Sequence, residues 1–300
     1  MPTEERHITV CISTFKRAVL LKRLLEELDS QFTAGLFTYS IVVADNDSEQ
    51  SAKQVVTEFS ERSSIPVIYC VEPERNIALV RNKSLEYATG DFIAIIDDDE
   101  YPTKNWLCDL FKACIASGAD GVLGPVAPYF ETPPPDWVVR GRFFEKILEI
   151  ETGCPVGLLN TRTSNVIFMK KILLGEETPF RAEFGTGGED IDFFMRMMEK
   201  GCVFVWCKDA VVHEYIPAKR CTRTYQLRRS LHGGINSLKF RAGRLRGIIK
   251  SIIAAPVYGL ALPFLFIAGQ HHFMKYLIKF CAHSGKLLAL FRIQPFKEYK

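Results

Sequence analysis

Acidic residues all but vanish from the last part of this chain. Between Tyr215 and Lys300 only Glu298 is acidic, against sixteen Lys and Arg, a local charge of +15. The preceding 214 residues carry −12, although the net charge of all 300 is only +3. Soluble surfaces normally mix both signs, so a basic segment without acids implies an anionic neighbour, either nucleic acid or a membrane surface. Nine cysteines occur without one CxxC pair, and Cys11, Cys70 and Cys202 lie inside apolar runs. Zinc sites and disulfide frameworks are therefore poorly supported, and a reducing cytosolic setting is expected. The opening "MPTEERHITVCIS" is polar and acidic and carries no signal-peptide core. No Walker loop and no GxGxxG follows any apolar run, so a nucleotide would not be held as in ATPases or dehydrogenases. Internal repeats and low-complexity segments are lacking too.

What is present is a regular alternation. "HITVCIS", "YSIVVAD", "IPVIYCV" and "DFIAII" read as strands. Between and after them, "RAVLLKRLLEELDS", residues 49–62, "IALVRNKSLEYATG" closed by Gly90, and residues 105–117 carry helical spacing. Short apolar strands alternating with helices predict an α/β fold with a mainly parallel central sheet covered on both faces. Ligands of such sheets bind at the carboxyl ends of the strands. That rule selects Thr14, Asp45 and the run Asp97, Asp98, Asp99, each directly after a strand. Further along, "ETPPPDW" is a proline-stiffened loop, "SNVIFMK" a strand, "EDIDFFMRMMEKG" a helix, and "CVFVWC" and "AVVH" the last strands. The expected division is one domain over 1–218 and a basic, helical, hydrophobic region over 219–300.

Within that region, residues 251–269 form nineteen positions without a charge, near the ~20 that span a bilayer. Pro256 and Pro263 interrupt them, so a bent or re-entrant segment is as plausible as a straight span. Arg241, Arg244, Arg246 and Lys250 precede the run, and Lys275, Lys279 and Lys286 follow it. Positive residues on both flanks favour one side of the membrane, which points to a hairpin or in-plane element at the cytoplasmic face. The competing reading is a buried core hairpin.

Three consecutive aspartates after a strand could be an ordinary turn and helix start, for which one would serve. Three at a ligand-binding edge better fit a divalent cation, Mg²⁺ or Mn²⁺, which prefers oxygen ligands and shares them with substrate phosphates. In "GTGGEDIDFF", Gly187 and Gly188 allow close approach of a ligand. Glu189 and Asp190 then fall in the first turn of a helix, where acids are also common for purely local reasons.

Four separated stretches, "VCISTFKR", "VVADNDSEQSA", "ERNIALVRNKSLEYATGDFIAIIDDDEYP" and "GGEDIDFFMR", occur in the order and spacing of the family 2 glycosyltransferases. The chain resembles that family, in its membrane-associated bacterial form, over about residues 7 to 215. The resemblance implies the GT-A fold and inverting transfer of a sugar from a nucleoside diphosphate sugar, a UDP-sugar being favoured, to an acceptor hydroxyl. By the same resemblance, Asp45 contacts the nucleotide base and Thr14 lines base and ribose. Arg75, Asn76 and Arg81 lie near the nucleotide, and Asp97 and Asp99 form the DxD motif, with Asp99 the direct metal ligand. Asp98, in the variable middle position, is a donor-sugar or ribose contact. Glu189 and Asp190 form the ED pair with Asp190 as general base, while Asp192 points away from that face. His213 is a candidate third metal ligand or a structural histidine. Trp137, in the aromatic loop 129–144, is a candidate for acceptor contacts or simply a hydrophobic cover. "YQLRRS" is similar to the QxxRW motif of processive members at Gln226 and Arg229, but Ser230 replaces Trp, which favours a single transfer.

The expected partners are the donor, a saccharide or lipid-linked acceptor and a membrane surface, without nucleic acid. Two alternatives belong to other classes: a metal-dependent nucleotidyl- or phosphotransferase, weakened by the lack of an aspartyl nucleophile followed by DxT, and a non-catalytic membrane adaptor or nucleic-acid binder using residues 219–250.

Overall fold

The computed structural model describes residues 6–145, 149–239, 244–291 and 293; Arg241 lies outside them. The chain divides into two compact units, one of Met1–Ala127, Lys146–Gly185 and Glu189–Glu214, the other of Pro128–Glu145, Thr186–Gly188 and Tyr215–Lys300.

In the first unit, strands β1 (His7–Thr14), β2 (Thr38–Asp45), β3 (Val67–Val71) and β4 (Phe92–Asp97) run parallel. A short β5 (Glu100–Pro102) follows, then β6 (Gly121–Leu123), and β7 (Val126–Tyr129) leads the chain out of the unit. It returns for β8 (Val166–Met169), β9 (Phe204–Trp206) and β10 (Val212–Tyr215). The main sheet has the order β3-β2-β1-β4-β8-β6-β9, with β8 antiparallel to both of its neighbours. Side chains alternate between two cores. On β1, Ile8, Val10 and Ile12 face one and Cys11 the other; on β2, Ile41 and Val43 oppose Val42 and Ala44. Helices α1 (Ala18–Asp29), α2 (Lys53–Arg62) and α4 (Trp106–Ser117) cover the first face, and α3 (Ile77–Glu86) and α6 (Glu189–Glu199) the second. Both faces are covered by helices, which is why the strands read as unbroken apolar runs. The four buried leucines of α1, Leu21, Leu24, Leu25 and Leu28, each contribute about 1.5–3 kcal/mol of transfer free energy.

Two helix boundaries differ from expectation for identifiable reasons. Helix α2 starts at Lys53 instead of residue 49, because Asp45 and Asp47 accept hydrogen bonds from the amides of Asp47, Ala52 and Glu49 and hold that stretch as turns. Helix α3 ends at Glu86, four residues before Gly90. Gly90 serves the sheet instead: its amide donates to Thr9 Oγ1, and a Cβ there would lie 2.7 Å from the His7 carbonyl oxygen.

Asn165 organises the right-hand part of the sheet. Fully buried at φ +54°, it donates through Nδ2 to the carbonyls of Pro125 and Ala210 and accepts from Trp106 Nε1, all within 2.7–2.8 Å.

The second unit is helical among its described residues. It contains α5 (Asp136–Gly141), α7 (Arg223–Asn236), α8 (Arg244–Ala268) and α9 (Gln270–Leu290). Helices α8 and α9 form a hairpin about Gly269, at φ +132°, with Phe266 against Phe273 near the turn and Ser251 Oγ 2.9 Å from His283 Nδ1 at the far end. Helix α8 continues through Pro256 and Pro263. Helices α7 and α9 approach so closely that a Cβ on Gly234 would meet the Ala282 oxygen at 2.1 Å, and one on Gly285 the Leu231 oxygen at 2.2 Å. Ser230, which replaces the Trp of the QxxRW motif, donates to the Ile278 carbonyl in this contact.

Replacing Asn165 by Ala strands two buried carbonyls and the Trp106 N–H, and is expected to cost about 3 kcal/mol. Urea unfolding should show a lower midpoint at unchanged slope.

Candidate active site

Parallel register brings three of the selected positions to one level. Thr14 on β1 pairs with Asp45 on β2, and its neighbour Ser13 with Asp97 on β4. The chain leaves β1 towards β2 and β3 on one side and later places β4 on the other, so the crevice of this sheet opens between β1 and β4.

The aspartate run ends in that crevice, and two arginines balance it. Arg17, just before α1, donates from Nη1 to Asp98 Oδ1 at 2.8 Å and to Asp99 Oδ2 at 3.0 Å. Thr14 Oγ1 donates to Asp98 Oδ2 at 2.7 Å. Asp98 is buried, and that burial pushes its carboxyl up to about 6, against the opposing charge of Arg17. The neighbouring Glu100 is driven well above the usual range by burial, then by the charges of Asp97, Glu214 and Asp99.

Arg81 on α3 forms the second balance. Its guanidinium is buried between Asp97, at 3.3 Å, and Glu189 at the start of α6. Burial works against that cation, but Glu189, Asp97 and Asp190 together hold its pKa above the ordinary value. Glu189 is itself raised by burial, with Arg81 opposing. Asp190 differs from Glu189: it is partly exposed, makes no ion pair among the described residues, and its Oδ1 accepts only from the next amide, Ile191. Asp192 is turned away, buried against Arg196 at 2.9 Å and Arg181 at 3.4 Å.

Other selected residues are committed to the scaffold. Asp45 is fully buried and accepts from the Asp47 and Ala52 amides and the Tyr69 hydroxyl. Asn76 caps α3, its Oδ1 accepting from the Ala78 and Leu79 amides while Nδ2 donates to the Ala182 carbonyl. Arg75 is exposed, its guanidinium 4.4 Å from the centre of the Phe15 ring. Trp137 belongs to the second unit, where it packs on Phe143 in a cluster with Val138, Ile216 and Met274 and is only 7% exposed. That packing is of the kind a hydrophobic cover makes, the second of the two roles expected of it.

Three residues of this site escaped the sequence reading. Arg17 lies within a quoted motif, but nothing local marks its carboxylate partners 81 and 82 residues away. Phe15 and Arg162 carry no periodic signal. Arg162 is half-buried, which lowers its pKa, and Glu100, Glu214 and Asp190 supply the opposing charges.

Among the described residues no three His, Cys, Asp or Glu side chains converge as a metal-holding group. His213 lies inside β10 rather than at its end, exposed and opposite Tyr101, so a three-ligand set with Asp97 and Asp99 is not formed. Asp97 and Asp99 nonetheless offer only oxygen donors, and Asp97 keeps 38% of its side chain exposed. Two carboxylates of this kind fit a hard divalent cation that completes its shell with phosphate oxygens and water.

The profile of the family described as Glycosyl transferase family 2 matches residues 9–173, and that of Glycosyl transferase family group 2 matches residues 92–297. The succinoglycan biosynthesis protein ExoM of Rhizobium meliloti (strain 1021) is 31% identical over 266 residues, covering 87% of this chain and 79% of the relative. Two solved structures share the fold. The Pyrobaculum calidifontis mannosyltransferase PcManGT, in complex with GDP-Man and Mn²⁺, superposes with a TM-score of 0.61 at 18% identity, covering 98% of this chain and 89% of the other. S. aureus TarS 1-349, in complex with UDP-GlcNAc, gives 0.56 at 14% identity, covering 95% and 92%. The α/β architecture derived above is therefore GT-A-like.

Because folding raises the Asp98 pKa, the folded chain binds that proton more tightly than the unfolded one. Its contribution to stability is greatest below the ordinary carboxylate range and is lost as pH rises through about 6. In chelator-treated protein, Asp98→Asn should raise the melting temperature by about 3–6 °C near pH 8 and by nothing near pH 4.

Proposed function

The chain belongs to glycosyl transferase family 2, and from that premise we propose that it transfers a sugar from a nucleoside diphosphate sugar to a hydroxyl of a saccharide or lipid-linked acceptor, inverting the anomeric carbon. The observation that carries this reading is the joint placement of Asp97 and Glu189 on one buried guanidinium, Arg81. It brings the β4 edge and the start of α6 together, so a donor bound at the first lies beside a carboxylate at the second.

Asp190 is the general base. Its partial exposure suits contact with an acceptor, whereas Glu189 is occupied by Arg81 and acts as a positioning residue. Asp190 takes the acceptor's hydroxyl proton as that oxygen bonds to the anomeric carbon and the bond to the diphosphate breaks on the opposite face. The proton ends on the Asp190 carboxylate, and the nucleoside diphosphate departs with the electron pair. Asp99 and Asp97 would hold a divalent cation, which would supply neutralising charge for that leaving group. Arg75 and Phe15 offer a cation and a ring face to the nucleotide. A UDP-sugar donor is favoured because TarS is described with UDP-GlcNAc, and a glycan-precursor acceptor because ExoM is named for succinoglycan biosynthesis.

The second unit fits a membrane surface. Helix α8 is long and apolar enough to cross a membrane, and Ile253, Leu260, Phe264 and Ile267 on it are exposed. From Tyr215 to Lys300 sixteen Lys and Arg face the single acid Glu298, matching an anionic cytoplasmic leaflet.

Asp190→Asn should lower kcat by at least about a thousandfold while leaving UDP affinity within about twofold. Asp99→Ala should instead abolish the dependence of UDP binding on Mn²⁺, read by calorimetry. Full activity in either variant would sink the mechanism. Ile253→Asp combined with Leu260→Asp is expected to release the protein from sedimenting phosphatidylserine vesicles; unchanged binding would end the membrane assignment.

A further inference from the structure

Arg17 sits on an oxygen that a metal at this site would need. Its Nη1 bridges Asp98 Oδ1 and Asp99 Oδ2, while its side chain remains 41% exposed. The guanidinium is therefore held at the crevice by the two carboxylates rather than by packing. It projects from the residue that links the carboxyl end of β1 to α1, the edge of the sheet at which phosphates bind in this architecture.

We propose that Arg17 and a divalent cation exchange on Asp99, and that the guanidinium so released takes up the diphosphate of the donor. The inference rests on the metal-assisted reading given above. A guanidinium and a divalent cation repel, and they cannot both occupy Asp99 Oδ2. Displaced from its carboxylates, an arginine finds in a diphosphate the planar, bidentate acceptor that suits its fork of N–H donors. What the cation loses by expelling Arg17 is regained when the diphosphate arrives. Binding of metal and donor then reinforce each other, and by linkage each raises the other's affinity by the same factor. Metal alone loads weakly, and the site becomes fully charged only when a donor is present.

The test is titration of Mn²⁺ into wild type, Arg17→Ala and Arg17→Gln, read by the electron paramagnetic resonance signal of the free ion. Each is run without nucleotide and with UDP and GDP in parallel. Thermal unfolding verifies that each variant is folded. Loss of the competing guanidinium should tighten Mn²⁺ binding about tenfold without nucleotide, and should weaken diphosphate binding at saturating Mn²⁺ about tenfold. The factor by which nucleotide enhances Mn²⁺ affinity shrinks accordingly. Equal or weaker Mn²⁺ binding in both variants overturns the exchange and leaves the metal assignment standing. Failure of all three proteins to bind Mn²⁺, with or without nucleotide, overturns both.

Discussion

The buried guanidinium of Arg81, shared by Asp97 and Glu189, is the interaction on which the rest of the site depends. A charge in that position is costly to desolvate, and only its two carboxylate partners make it tolerable. Removing Arg81 leaves the buried Glu189 carboxylate without its cation, at a cost of about 3–5 kcal/mol. The pair also fixes geometry, because Asp97 ends a strand of the central sheet and Glu189 begins a helix on its second face. Asp190, adjacent to Glu189, is thereby held in place without being consumed by the same ion pair.

The aspartate run loads the fold with local conflict. Asp98 and Glu100 are buried acids whose ionisation the surrounding protein resists. A sequence shaped for stability alone would not place four acids at the end of one strand. Arg17, Arg81 and Thr14 offset part of the repulsion. Under the proposed function that residual penalty is relieved when a cation and phosphates arrive.

In the second unit the organising constraint is close helix packing. Gly234 and Gly285 let backbones meet, and Ser230 ties α7 to α9. Much of the apolar surface of α8 remains uncovered among the described residues, which is the observation behind the proposed membrane surface.

The sequence by itself determined the architecture, since period-two burial on both faces of a parallel sheet leaves a continuous apolar signature, and helical spacing separates the strands. It determined the positions of Thr14, Asp45 and Asp97 too, because strand ends are visible where an apolar run stops. The uncharged run flanked by lysine and arginine marked a hydrophobic element, but not that it forms one helix turning into the next at Gly269. Only the tertiary structure decided what those residues touch. That Arg17 binds Asp98 and Asp99, that Arg81 reaches Glu189 across 108 residues, that Asn76 is a helix cap, and that Trp137 is packed away all depend on contacts between distant segments. Spacing within one element repeats along the chain and can be counted. Pairing between elements follows from how they pack, and packing is a property of the whole chain.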